Sequence, residues 1–224
     1  MRQGWVIQCI RRSAKWAMVG CAMLFLSGSR IAYAIVGEDI VRKVQSRYNK
    51  ATGLSLRFER VFHWKLADKV QHFQGAFYLK KPDHFRLETT SQVIVTDGKT
   101  MWIYAPPNRQ VLIKAYRKGS GMSGAEEVLN AFSKDYIPTY LRDERVKNHL
   151  CHVLLLRPRE PGSYIQKVTV WVDPEIWFVR KVQYVDINGD TTTYDMISLE
   201  VDPKLDDKIF MFEIPKGVDV VDLR

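Results

Sequence analysis

Three short stretches carry the residue types best suited to chemistry. Gly119-Ser120-Gly121-Met122-Ser123-Gly124 matches G-x-G-x-x-G, follows a strand-like run from Val111 to Tyr116 and opens a helix, as a turn that brings backbone N–H groups to a dinucleotide pyrophosphate would. Such a site requires a parallel βαβ unit, whereas the clear turn signals in this chain are hairpins, so the glycines read as a hinge. His149-Leu150-Cys151-His152 offers three metal-ligand types in four residues, at a spacing that suits no standard zinc site. Asp186-Ile187-Asn188-Gly189-Asp190 resembles the start of a calcium loop, but its glycine comes two residues early and residue 197 is Ile where a Glu is needed. A hairpin turn accounts for it. The chain lacks G-x-S-x-G, H-E-x-x-H and the G-x-x-x-x-G-K-[ST] phosphate loop. The expectation is a binding protein with no metal, no cofactor and no catalytic residues.

Residues 1–34 read as a cleaved secretory signal: basic residues Arg2, Arg11, Arg12 and Lys15, an apolar run from Trp16 to Leu26, and the small-x-small site Ala32-Tyr33-Ala34. The apolar run of roughly eleven residues is about half the ~20 that a spanning helix needs. A competing lipoprotein box at Met18-Val19-Gly20-Cys21 would leave an apolar region of only about five residues, against the usual 7 to 15, and would expose Ala22 to Leu26. The first reading is preferred, and it places one domain at 35–224 in the periplasm. Taking away Arg2, Arg11, Arg12, Lys15 and Arg30, the five basic residues of 1–34, leaves 29 Lys and Arg against 25 acidic residues. That surplus does not indicate nucleic acid, whose binders carry a clustered basic face. Cys9 and Cys21 leave with the signal, so Cys151, between Leu150 and Val153, is expected to be a buried small hydrophobe and not half of an intrachain disulfide.

Periodicity supplies the elements. Ile40, Val41, Val44 and Tyr48 recur at helical spacing until Thr52-Gly53. Then the period becomes two. Leu54, Leu56 and Phe58 alternate with Ser55, Arg57 and Glu59, and Val168, Val170 and Val172 alternate with Lys167, Thr169 and Trp171. Asp97-Gly98 and Asn188-Gly189 are type I′ hairpin dipeptides, and Asp173-Pro174 marks another reversal. About ten strands of an antiparallel meander are expected, curling into a barrel or half-barrel. Ser123 and Glu126 form a capping box before Val128, Leu129 and Phe132, which share one face of a short helix. That helix should plug one end of the sheet or act as a lid.

One region is more apolar than a half-wet sheet allows. Across Asp97-Gly98, two-residue hairpin geometry puts Ile94, Met101 and Ile103 on one face and Val93, Val95, Trp102 and Tyr104 on the other. Either helices cover the second face or the sheet encloses an apolar cavity.

Gly75-Ala76-Phe77-Tyr78-Leu79-Lys80-Lys81-Pro82-Asp83-His84-Phe85-Arg86, then Ile94-Val95-Thr96-Asp97-Gly98-Lys99-Thr100-Met101-Trp102-Ile103-Tyr104, and the ending from Phe210 to Val220 together resemble the outer-membrane lipoprotein carrier family, LolA. The resemblance implies an incomplete antiparallel barrel with an N-terminal helix and short lid helices, enclosing an apolar cavity for lipoprotein acyl chains. It implies that Tyr48, Leu54, Phe58, Leu87 and Ile94 match apolar cavity positions, and Phe77, Leu79, Met101 and Ile103 join them as candidate acyl-chain contacts. Phe85 matches an aromatic at the mouth or a partner contact, and Val128, Leu129 and Phe132 match the lid. At Lys81 the best-known members carry an arginine that fastens the lid. The implied partners are acylated lipoproteins, an ATP-driven inner-membrane releasing complex and an outer-membrane receptor lipoprotein, met by a monomeric carrier. The alternative from another class is a periplasmic sensor domain for lipid or lipoproteins.

Overall fold

The computed structural model describes residues 36–117 and 135–224. The signal, the G-x-G-x-x-G run, the capping box and Val128, Leu129 and Phe132 lie outside the described residues.

Helix α1 spans Gly37–Lys50, with Glu38 and Asp39 in its first turn and Arg47 and Lys50 in its last, the order that suits the helix dipole. Its buried stripe is the expected one, Ile40 and Val44 being 1% and 2% exposed. The helix stops where Ala51 turns extended, its N–H donating to the carbonyls of Arg47 and Tyr48. Thr52 then donates from its N–H and hydroxyl to the Asp202 carboxylate, at 2.6 and 2.9 Å. Those bonds, led by the backbone one, hold the Asp202 carboxyl below its usual range.

The strands are β1 (Gly53–Trp64), β2 (Lys69–Lys80), β3 (His84–Thr89), β4 (Val93–Asp97), β5 (Thr100–Ala105), β6 (Gln110–Ala115), β7 (Tyr136–Val146), β8 (His149–Pro158), β9 (Ile165–Asp173), β10 (Phe178–Asp186), β11 (Thr191–Val201) and β12 (Asp219–Asp222). They form one sheet in the order β12-β6-β5-β4-β3-β2-β1-β11-β10-β9-β8-β7. Two antiparallel meanders, β1–β6 and β7–β11, are joined by the pairing of β1 with β11, from Leu54 opposite Val201 to His63 opposite Thr191. The expected incomplete barrel is present as an open, curled sheet. Among the described residues its strands number twelve and not about ten. The last of them escapes a turn-based count because it is four residues long and pairs in parallel with β6. At the other edge, β7 carries Pro138 and a bulge between Tyr140 and Arg142, two devices that discourage edge-to-edge pairing.

The hairpin turns depart from the type I′ expectation. Gly98 and Gly189 have φ of 85° and 80°, but Asp97 and Asn188 are not left-handed. In both turns an aspartate carboxylate organises a longer loop. Asp97 accepts from the N–H groups of Lys99 and Thr100, and Asp186 accepts from those of Asn188 and Asp190. The β4–β5 register, Thr96 opposite Met101, therefore lies two residues from that of a two-residue loop. An even shift keeps every side chain on its face, so the division of Ile94, Met101 and Ile103 from Val93, Val95, Trp102 and Tyr104 stands.

Each face has its own cover. On one, α1 packs Ile40 and Val44 against Leu154, Leu156, Val168, Val170, Val172, Val179 and Val182. On the other, the second apolar face of β4 and β5 lies under the chain's own C-terminal stretch, which begins with a one-turn 3₁₀ helix at Asp207–Phe210. Phe212 packs on Trp102 and Tyr104, Phe210 packs on His84, and Arg86 donates to the carbonyl of Ile209. Cys151 also sits on that face with Val153 and Trp171, 0% exposed. Burial pushes its thiol up to about 11.

Two measurements check this packing. Ile40→Ala should destabilise the protein by about 2 to 5 kcal/mol in denaturant titrations; a loss under about 0.5 kcal/mol would mean that α1 does not anchor the sheet. Cys151 should resist a thiol reagent at pH 8 in the native protein and react on unfolding, being buried and protonated. Labelling at the rate of a free thiol would contradict the assigned burial.

Candidate functional site

Alternation along β1 to β5 aligns apolar residues in rows across the sheet, on the face that also carries α1. One row runs Leu54, Leu79, Phe85, Thr96, Met101; the next runs Leu56, Phe77, Leu87, Ile94, Ile103. In the third, Phe58 lies opposite Gly75. A Cβ on Gly75 would stand 2.5 Å from the tip of the Phe58 ring, so the absence of a side chain there is what lets the ring lie across β2.

These rows make a cluster distinct from the one under α1. Phe58, Phe77, Phe85, Ile94, Met101 and Met196 are its buried members, with Leu56, Leu79, Leu87, Ile103, Tyr116 and Tyr194 packed against it. Phe77 stacks on Phe85 at 6.1 Å, Phe85 meets Tyr116 edge-on at 6.2 Å, and Phe58 tilts against Tyr194 at 5.8 Å. Tyr194 packs against both this cluster and that under α1.

Seven of the predicted contacts therefore come together: Phe58, Phe77, Leu79, Leu87, Ile94, Met101 and Ile103. Tyr48 and Leu54 belong instead to a neighbouring group around Ala51 and Phe178, which Leu79 connects to the first. Phe85 is 4% exposed and sits inside the cluster, not at a rim. Val128, Leu129 and Phe132 lie outside the described residues. Leu56, Met196, Tyr116 and Tyr194 were missed. For Leu56 the signal was present, since it shares the parity of Leu54 and Phe58. Met196 and Tyr194 reach the cluster through the β1–β11 pairing, which no local pattern announces.

Two cations stand beside the apolar rows. Arg60 follows Phe58 on the same face of β1 and lies opposite Phe73 and Tyr194. Lys81, between β2 and β3, donates from Nζ to the carbonyls of Tyr48 at 2.6 Å and Asn49 at 3.1 Å and lies 4.6 Å from the centre of the Tyr48 ring. Its own N–H donates to Thr52 O at 2.8 Å. Lys81 thus caps the last turn of α1, where carbonyls lack intrahelical partners.

The stretches first weighed for chemistry resolve otherwise. Strand alternation in β8 turns His149 and Cys151 to the face opposite His152. His149 meets Asp173 at 3.2 Å, while His152 meets Asp143 at 2.5 Å. His149, Asp173 and Glu175 do converge, but Asp173 already accepts from Arg180 Nε and Nη2 and from the Glu175 N–H. Asp186 is committed to its turn and to the Tyr164 hydroxyl, 2.8 Å away. What these groups can do chemically is hold turns; what the rows can do is take up apolar ligand.

The chain is similar to known proteins. The family model described as outer membrane lipoprotein carrier protein LolA matches residues 49–213. An outer-membrane lipoprotein carrier protein of Glaesserella parasuis is 27% identical over 213 residues, covering 94% of this chain and 96% of that protein. One of Legionella pneumophila is 27% identical over 197 residues, covering 85% and 93%. Among solved structures, an uncharacterized conserved protein from Thermus thermophilus superposes with a TM-score of 0.56 at 12% identity, over 83% of this chain and 98% of that one. MucB gives 0.54 at 12%, over 83% and 65%. At such identities the superpositions speak for the fold, while the family match takes in most of the sequence: the chain belongs to the outer-membrane lipoprotein carrier protein LolA family.

Proposed function

We propose that this protein is a periplasmic carrier that shields the acyl chains of lipoproteins and moves them from the inner to the outer membrane. The observation that carries the reading is the set of aligned apolar rows on β1–β5, beside the ground that α1 occupies, in a chain of the LolA family. Transfer of each methylene out of water is worth about 0.8 kcal/mol, so a sixteen-carbon chain needs about 12 kcal/mol of apolar contact. It needs no chemistry from the protein. Extraction from a membrane costs a similar amount, and the chain has no phosphate loop to supply it. An ATP-driven inner-membrane releasing complex is therefore the proposed donor, and an outer-membrane receptor lipoprotein the proposed acceptor. Acyl contact is assigned to Phe58, Phe77, Leu79, Leu87, Ile94, Met101 and Ile103, with Tyr48, Leu54, Val128, Leu129 and Phe132 as further members and Phe85 as an inner wall. No helix among the described residues is long and apolar enough to cross a membrane. The alternative, a sensor domain, draws on the fold likeness to MucB alone.

Lys81 is proposed as the latch. Its two hydrogen bonds tie the end of α1 to the β2–β3 turn, so opening the ligand surface on that side requires breaking them.

Native mass spectrometry of protein isolated from the periplasm should show an acylated protein bound one to one. Recovery of ligand-free protein alone, from cells exporting lipoproteins normally, would count against a carrier. Release rates to acceptor vesicles or receptor test the latch. Lys81→Leu loses two bonds of about 0.5 to 1.5 kcal/mol each and should speed release roughly five- to a hundredfold. Lys81→Arg, with five donors in a planar fork, should slow it. Equal rates for all three proteins would show that Lys81 only caps the helix.

A further inference from the structure

Arg60 is the charged side chain whose place on β1 the carrier reading leaves unexplained. The positions before it on the same face are Leu54, Leu56 and Phe58, and those after it are Phe62 and Trp64, whose rings lie 6.3 Å apart. Its guanidinium carbon lies 5.5 Å from the centre of the Phe73 ring and 5.9 Å from that of Tyr194. Its Nε is buried and has no hydrogen-bond partner, and among the described residues no carboxylate pairs with the side chain. Glu59 and Asp195, its neighbours on β1 and on the strand beside it, occupy the alternate parity and so the other face.

Arg60 as a whole is half-buried, but a buried guanidinium N–H such as its Nε is ordinarily met by an acceptor, because it is costly to leave dry. Two aromatic rings offset part of that cost through the ring quadrupoles, but rings do not satisfy N–H groups. Its Nε–H is left facing an acceptor that the described residues do not provide.

We propose that Arg60 anchors the head of the bound acyl chain, donating to an acyl oxygen, whether ester carbonyl or carboxylate, while the chain lies along the rows that begin at Phe58. This rests on the carrier reading and adds to it a polar contact that sets how far the ligand slides in. Arginine suits the task because its charge persists at any physiological pH and its donors are rigidly spaced.

The test uses the mature protein and N-phenyl-1-naphthylamine, a neutral probe with no acyl oxygen, displaced by dodecanoate, methyl dodecanoate or dodecane. Arg60→Met should weaken dodecanoate about ten- to a hundredfold, the value of one charge-assisted hydrogen bond, and should leave probe and dodecane within about twofold. Arg60→Lys should recover part of the dodecanoate affinity. Weakening of both oxygenated ligands assigns the anchor to acyl esters as well as free acids; weakening of dodecanoate alone assigns it to free carboxylates. The melting temperature of the ligand-free Arg60→Met protein should equal or exceed that of the parent, since a half-buried side chain with an unpartnered buried Nε is replaced by an apolar one. Equal loss of every ligand, a lowered melting temperature, or no change for any ligand would overturn the anchor. Failure of the parent protein to bind the probe at all would overturn the apolar site itself, and the anchor with it.

Discussion

A sheet whose strands are apolar on one continuous face must cover that face, and among the described residues one α-helix of fourteen residues is set against twelve strands, too many for it to cover. Most of the molecule follows from that mismatch. The helix takes β7 and β10 and the valines between them, where β-branched side chains make a flat, dense bed. What remains over β1–β5 is a different surface, built chiefly from Phe, Met and Leu, with Ile94 and Ile103 among them. Those side chains present more area per residue and, in the case of Met, adapt to irregular partners. The boundary between the two runs through Tyr194, which belongs to both.

The same mismatch explains why so few polar groups matter. Lys81 lies where the helix ends, and the carbonyls it meets are those that any helix leaves open at its C-terminus. Asp202 performs the complementary task on the N–H and hydroxyl of Thr52. Together they fix the one junction, Ala51 to Gly53, at which the chain passes from helix to sheet. Charge is spent on positioning the cover, and the covered surface is left almost free of it.

Much of this was legible as periodicity. The faces of β4 and β5 followed from alternation even though the turn between them was misjudged, because parity survives a register shift of two. The helix stripe was equally plain, since Ile40 and Val44 repeat at helical spacing. The C-terminal cover was not legible: Phe210 and Phe212 lie in a stretch with no sustained period, and what they cover, His84, Trp102 and Tyr104, is more than 100 residues away in sequence. Tyr48 and Leu54 were expected with Phe58 and Ile94 and pack in the adjoining group, because one-dimensional spacing does not say which of two neighbouring clusters a residue joins. Arg60 could have been noticed, as the one charge at the parity of Leu54, Leu56, Phe58 and Phe62. Alternation is usually read for what it contains, and here the informative residue was the one that broke it.

The pairing of β1 with β11 has a kinetic consequence. It lies at the centre of the sheet, yet Leu54 and Val201 are separated by nearly the whole domain. Each meander can form from local hairpins as it emerges, but the seam between them closes only when β11 is present, and loops that long close slowly. Until then the edges of β1 and β10 are bare, and Phe58 has neither Met196 nor Tyr194 beside it. A chain exported N-terminus first would spend its passage with its ligand surface half-built and its most adhesive strands unpaired. Such a protein completes its apolar rows at the last step of its own folding, and before that step it has the needs of a client.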